Sequence, residues 1–253
     1  MSLLKEIYYV AWGDMRFVRH NIGNILVSSL VTPILYLLAF GYGLNAGAVT
    51  VDGIEIPYLD FVIPGIIALS SLSASFSATS TRLNVQRLYY HCFDEMIISP
   101  LSETAMIVGK TAVGMVRGLI STMLMFIIGY ILEPAYLNFT PLFLVSVLLS
   151  CFTFSLLGVT AALIAKSHSS MATFSSLVIT PMTFLCGTFF SVASLPAWAQ
   201  GLLYVFPLTE ASVCIRAAAL DIYAFPFWAL GVLALFTVAF FLIDLYLIKN
   251  RKI

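Results

Sequence analysis

The sequence predicts an all-α membrane protein: six transmembrane helices, an N-terminal interfacial helix, a cytoplasmic loop helix and an extracellular re-entrant helical hairpin before the last span. Three observations carry this. Of 253 residues, 61% are hydrophobic and 9% charged, whereas soluble domains are about 25% charged. The apolar runs are long and lack the dyad alternation of barrel strands, so their backbone groups must be satisfied within helices of about 20 residues. The basic residues also fall on one side of the resulting topology.

Six stretches reach spanning length, at about 22–44, 58–81, 106–132, 141–165, 171–192 and 225–248. With the N-terminus inside, Lys5, Arg16, Arg19, Arg82, Arg87, Lys110, Lys166, Lys249, Arg251 and Lys252 all lie on or near the cytoplasmic side. The loops "NAGAVTVDGIEIP" and "EPAYLNF" have acids but no Lys or Arg, as the positive-inside rule asks of the exterior. Both termini are therefore placed in the cytoplasm.

The opening segment, "MSLLKEIYYVAWGDMRFVRHN", has no small-residue cleavage site and is read as retained, not as a signal peptide. Leu4, Ile7, Ala11 and Val18 share one helical face. That suggests a helix in the inner interface leading into span one, the alternative being an extended foot of that span.

Between spans two and three runs the longest cytoplasmic loop, Thr81 to Lys110. Its centre mixes Leu88, Tyr89, Phe93, Met96, Ile97 and Ile98 with Arg87, Asp94 and Glu95, and Pro100 ends it. This is an amphipathic helix that either lies on lipid headgroups or docks on a partner, with Ser99, Ser102 or Thr104 placed to cap the helix after it. "TAMIVGKT" comes within one residue of a phosphate-binding loop, with Thr104 in place of the first glycine. That motif needs a strand and a soluble sheet around it, so Gly109–Thr111 are read as the inner boundary of span three, with Lys110 reaching to the interface. Arg117 lies within that span: it either lines an inner vestibule or the bundle interior, or snorkels from a span that starts later.

The stretch after span five, "CGTFFSVASLPAWAQGLLYVFPLTEASVCIRAAAL", is too apolar for a free loop and is broken by Pro196 and Pro207. Two short helices dipping in from the exterior fit it, each opened by a proline. Irregular backbone at that depth needs protein or a watery cavity around it, which puts the hairpin near the outer mouth of a pathway. Cys92, Cys151, Cys186 and Cys214 lack metal-like spacing, and His20, His91 and His168 fall in cytoplasmic or boundary segments. No disulfide framework, metal site or nucleic-acid partner is expected.

On these residues the chain resembles the type 2 ABC exporter permeases. The C-terminal pattern supplies Gly187, Phe189, Leu195, Pro196, Gln200, Pro207, Leu208 and Arg216; "YLDFVIPGIIALS" supplies Pro64–Gly65; and "FDEMIISPLSETAMIVGK" is similar to the family's charged loop ending in Pro-Leu-Ser and Gly-Lys. The resemblance covers nearly the whole chain as a single transmembrane domain, 1–253. It implies a half-transporter in the inner membrane: two copies about a twofold axis, with a separate cytoplasmic ATPase subunit beneath each that holds ATP and Mg²⁺, while this chain binds no cofactor and is not itself an enzyme. The coupling surface would then include Arg87, Tyr89, Phe93, Asp94, Glu95 and Pro100, and the extracellular gate Phe189, Pro196, Gln200, Pro207, Glu210 and Arg216.

Aromatic residues of spans one, two and five, Tyr36, Tyr42, Phe76, Phe184 and Phe189, suit a pathway for an amphiphile, and Arg117 joins them as a candidate lining residue. The cargo implied is a lipid-linked glycan, a lipo-oligosaccharide or a hydrophobic drug. An ion-coupled carrier or channel is the alternative, disfavoured because most acids sit in loops or near span ends. An intramembrane hydrolase lacks both a G-x-S nucleophile and an embedded histidine base.

Overall fold

The computed structural model describes residues 2–43, 47–51, 54–134, 137–192, 195–221 and 224–250, the side chains of Tyr42, Thr50 and Val51 apart. Arg251 and Lys252, which the charge argument used, lie outside the described residues, as do parts of the first exterior loop.

The central element is α3 (Tyr58–Leu88), a 31-residue helix packed against α5 (Glu103–Leu132), α6 (Pro141–Ile164) and α10 (Pro207–Leu220). Its run of Ala and Ser, "ALSSLSASFSATS", lets neighbouring backbones approach closely, as small residues do at membrane helix interfaces. Buried hydroxyls there turn back on their own helix: Ser70 donates to the Ile66 carbonyl at 2.8 Å and Ser71 to Ala68 at 2.7 Å. The last helix, α11 (Phe227–Lys249), lies against α6. Two polar pairs fix its register, Thr153 with Thr237 at 2.6 Å and Thr160 donating to Asp244 at 2.6 Å. Outside this core, α1 (Leu3–His20) packs on α5, and α2 (Ile22–Tyr36), continued by a π-helical turn over Leu37–Tyr42, leans on α3 and α5.

Five helices are long and apolar enough to cross a membrane: Ile22–Gly41, Tyr58–Leu88, Glu103–Leu132, Pro141–Ile164 and Phe227–Lys249. The predicted span 171–192 differs. It is helical only from His168 to Leu185, as α7 (His168–Phe174), a π turn (Ser175–Ile179) and α8 (Thr180–Leu185). At 1.5 Å per residue that run is about 27 Å long, and hydroxyl residues occur along its length. Pro181 withholds one backbone N–H just after the π turn, and Gly187 at φ +72° breaks the chain away from the helical path. The hairpin is formed by α9 (Ala197–Leu203) and α10, which meet at 94° and begin at Pro196 and Pro207.

In the loop between α2 and α3, β1 (Ala48–Val51) and β2 (Ile54–Pro57) pair antiparallel, Val49 opposite Ile56. Two further expectations need correction. Helix α3 runs on to Leu88, so the loop helix expected over Arg87–Ser99 shrinks to α4 (Cys92–Ile98), and Arg87 belongs to the end of α3. Buried there, Arg87 donates to the carbonyls of Ala162, Leu163 and Ala165 at the end of α6, where a cation complements the helix terminus. On α1, Val18 of the predicted apolar face is buried and Leu4 is exposed. The inward stripe is Glu6, Val10, Asp14 and Val18, while Leu4, Tyr8, Tyr9 and Trp12 point outward. Nor does Ser102 cap α5 with its own hydroxyl. Its backbone N–H and hydroxyl both donate to Glu6 of α1, at 3.0 and 2.7 Å.

Candidate functional site

The polar groups divide between the two ends of the bundle. At the end holding Arg82, Arg87, Lys110 and Lys249, the Asp14 carboxylate accepts from Arg82 at 2.6 Å, Gln86 at 2.7 Å and Lys110 at 2.8 Å, and Lys110 also donates to Gln86 at 2.7 Å. Burial alone would raise the Asp14 carboxyl, but Lys110 and Arg82 more than offset it and hold it below its ordinary 3.8. Three helices are thereby joined by one ion cluster. Lys110 is buried in that cluster, not extended to an interface, because the inward acid of α1 gives it a partner. The sequence signal for this was an acid repeated with the period of the apolar stripe, at Glu6 and Asp14.

Next to the cluster, α4 stands on the same end of the molecule. Phe93, expected on a contact surface, is 2% exposed and packs with Leu83, Met106, Ile107, Leu163 and Ile248. It anchors α4, whereas Tyr89, Glu95 and Pro100 are exposed and Asp94 half-buried.

The other end carries the hairpin. Arg216 of α10 donates from Nε to the Phe61 carbonyl at 3.2 Å and from Nη2 to the Gly187 carbonyl at 2.8 Å, with its guanidinium 3.8 Å over the Phe61 ring. Ser212 donates to Cys186 at 3.1 Å and Tyr58 to Phe189 at 3.0 Å. The break after α8 is thus bonded to both α3 and α10. Gly65 of α3 faces this break, and a Cβ there would collide with the Thr188 carbonyl, which accounts for the Pro64–Gly65 pair.

Four rings gather beside the break: Phe189 stacks on Phe40 at 4.1 Å and lies 5.5 Å from Tyr36 and 6.3 Å from Phe184. Tyr36 and Phe40 come from α2 and its π-helical continuation and Phe184 from α8, which follows a second π turn, a feature common at functional sites, while Phe189 lies in the break itself. The expected Tyr36, Phe184 and Phe189 are therefore brought together. Phe76 lies apart, stacked on Phe174 at 6.3 Å. Of the other expected gate residues, Gln200 donates to Leu195 of its own turn at 2.7 Å, Pro196 is exposed, and Glu210 is 1% exposed inside α10. Asp60 and Glu210 lie in the first turns of α3 and α10 and Asp244 near the end of α11, and all three are buried.

Between the ends, α3 turns a hydroxyl face toward two adjoining cavities. One, of about 390 Å³, is lined by Ser28, Thr32, Ser73 and Ser121; the other, of about 380 Å³, by Phe17, Ile25, Arg82 and Tyr90. Ser77 and Arg117 line both.

Gly109, Lys110 and Thr111 sit inside α5, so the Gly-Lys-Thr run is helix and cradles no phosphate.

Comparison with known proteins agrees with this arrangement. A family profile described as "ABC-2 type transporter" matches residues 5–220. The chain is similar to the inner membrane transport permease YadH of Escherichia coli K12, 27% identical over 255 residues and 98% of each chain. It is also similar to nodulation protein J of Sinorhizobium fredii NGR234, 29% identical over 84% of this chain and 78% of the relative, and to that of Rhizobium leguminosarum bv. viciae, 29% identical over 96% and 91%. The order of interfacial-type helix, long apolar helices, loop helix and proline-opened hairpin, with the profile running from α1 through α10, makes this chain a permease of the ABC-2 type transporter family.

Proposed function

We propose that the chain is the membrane half of an ATP-driven exporter for an amphiphilic substrate, such as a lipo-oligosaccharide, a lipid-linked glycan or a hydrophobic drug. It works as a pair of copies above two separate ATPase subunits in an inner membrane, with both termini in the cytoplasm. The observation that carries the reading is α4, a short helix pinned into the bundle by Phe93 yet exposing Glu95, with Tyr89 exposed at the end of α3 beside it and the Asp14 cluster next to both. A rigid handle of that kind transmits movement, since a partner that differs in its contacts between two states can shift the bundle between two arrangements. The cluster passes displacement of α4 and the end of α3 to α1 and α5.

At the opposite end, the hairpin and the ring cluster of Tyr36, Phe40, Phe184 and Phe189 close the pathway from outside. Exposed Trp198, Leu202, Phe227 and Trp228 suit the outer membrane interface, where aromatic residues concentrate. In this reading α7–α8 crosses as the sixth span, shortened by the break at Gly187. ATP and Mg²⁺ belong to the partner, and this chain performs no hydrolysis.

The test is recovery of the partner. A tagged chain purified from its own host should bring down an ATPase that carries a phosphate-binding loop, and vesicles holding both should export only with ATP. Glu95→Lys reverses charge on the exposed face of α4 and should reduce ATPase recovery at least tenfold with thermal stability unchanged. Undiminished recovery refutes the role given to α4.

A further inference from the structure

Arg117 is placed unlike any other described arginine in the bundle core. Arg82, Arg87 and Arg216 are all bonded to carboxylate or carbonyl oxygens. Arg117 makes no hydrogen bond or ion pair to any described residue, and its Nε is buried without a partner. It lies seven residues, about 10 Å, past Lys110 along α5, where the helix has entered its apolar stretch. An arginine at such depth is costly unless a counter-charge or water meets it. No Asp or Glu lines either of the two cavities that share it, and Asp14 is committed to Arg82 and Lys110.

Three of the surrounding hydroxyls have the same character, whereas Ser28, Ser70 and Ser121 of the same wall are bonded to backbone carbonyls. Membrane-helix serines usually bond back to their own turn, as Ser70 and Ser71 do. Thr32, Ser73 and Ser77 make no hydrogen bond to any described residue, yet all three line the cavity of about 390 Å³ at Arg117. A fixed cation thus meets three uncommitted O–H donors in a space that holds no acid. Guanidinium and hydroxyl donors together match an oxyanion, whose oxygens accept both. The adjoining cavity continues along Phe17, Val18 and Ile25, an apolar wall suited to a hydrocarbon portion.

We propose that Arg117 with Thr32, Ser73 and Ser77 forms a binding site for the oxyanion headgroup of an amphiphile, its apolar part lying along Phe17, Val18 and Ile25. This deepens the export reading by naming the charge of the substrate's head, and rests on that reading only for the direction of movement. Headgroup binding needs no ATPase.

The experiment uses the full chain in zwitterionic nanodiscs, with dioctanoyl phosphatidate as probe, uncharged dioctanoylglycerol as control, and retention read by native mass spectrometry. The wild type should retain phosphatidate in preference to the uncharged lipid. Arg117→Gln should weaken phosphatidate at least tenfold without changing dioctanoylglycerol, Arg117→Lys should fall between, and Ser73→Ala/Ser77→Ala should lose several-fold with the arginine intact. Excess inorganic phosphate that displaces the probe assigns the site to the free anion, and failure to displace assigns it to the lipid-borne headgroup; the oxyanion site stands in both. Equal phosphatidate retention by wild type, Arg117→Gln and the double-serine variant overturns it. Should Arg117→Gln fail to fold, the double-serine variant decides. Loss of the site with ATPase recovery intact sinks this inference alone, whereas an intact site with no ATPase recovered sinks the export reading alone.

Discussion

Arg216 and Arg117 are both arginines on largely apolar helices, and they face opposite environments. Arg216 is buried between two carbonyls and the face of Phe61, with both bonds made to fixed backbone. Arg117 opens onto two cavities and has no bonded partner among the described residues. The first arrangement ties α10 and the break at Gly187 to α3 and resists movement. The second leaves binding capacity unspent. The molecule thus joins a tightly satisfied end to a polar cleft that is satisfied only in part.

The largest effect should come from breaking the satisfied end. Arg216→Ala leaves the buried Gly187 carbonyl without this donor, takes a second bond from the Phe61 carbonyl and removes a cation from a ring face, costing about 3–5 kcal/mol; denaturant titration in mild detergent should show it, and a loss below about 1 kcal/mol would mean the clamp is incidental.

Next comes the ion cluster. Asp14→Ala strands buried Lys110 beside Arg82 and should cost about 3 kcal/mol, read as proteolysis of a loosened α1. The sign of its pH dependence follows from the depressed Asp14 carboxyl. Its contribution is whole above the ordinary value of 3.8 and is lost as pH falls through the lower folded value. Protection of α1 should therefore be flat from neutral pH down to about that value and fall below it.

A smaller loss is expected from Gly187→Ala. The left-handed backbone disfavours a Cβ by about 1–2 kcal/mol, and the new atom would lie 2.7 Å from Val192 Cγ2. The melting temperature should drop by a few degrees. At the bottom of the scale, Arg117→Gln should not lower thermal stability at all, since nothing described depends on the guanidinium. A destabilisation as large as that of Arg216→Ala would erase the contrast between the two regions.

Much of this architecture was legible in the residues. Long apolar runs located five crossing helices to within a few residues except where α3 continues past Thr81, and prolines at 196 and 207 located both hairpin helices. The failures share a cause. Arg87, Lys110 and Phe93 were assigned to solvent or to a partner because charged and amphipathic residues near a predicted boundary are ordinarily exposed. Each instead met a specific group from a distant element: carbonyls of α6, the carboxylate of Asp14, and the cluster around Leu83. Span five was overextended because "CGTFFSV" is as apolar as a helix interior, and hydropathy does not register a single glycine in a left-handed conformation.

Sequence alone determined that this chain lives in lipid, which segments are long and apolar enough to cross it, and which end carries positive charge, because transfer of apolar and charged groups between water and hydrocarbon depends on composition and order. Tertiary structure decided which polar groups are spent and which are free. Satisfaction of a buried donor is a property of a pair, and for Asp14 with Lys110, Arg216 with Gly187, and Arg117 with an open cavity, the other member is chosen only when the helices pack.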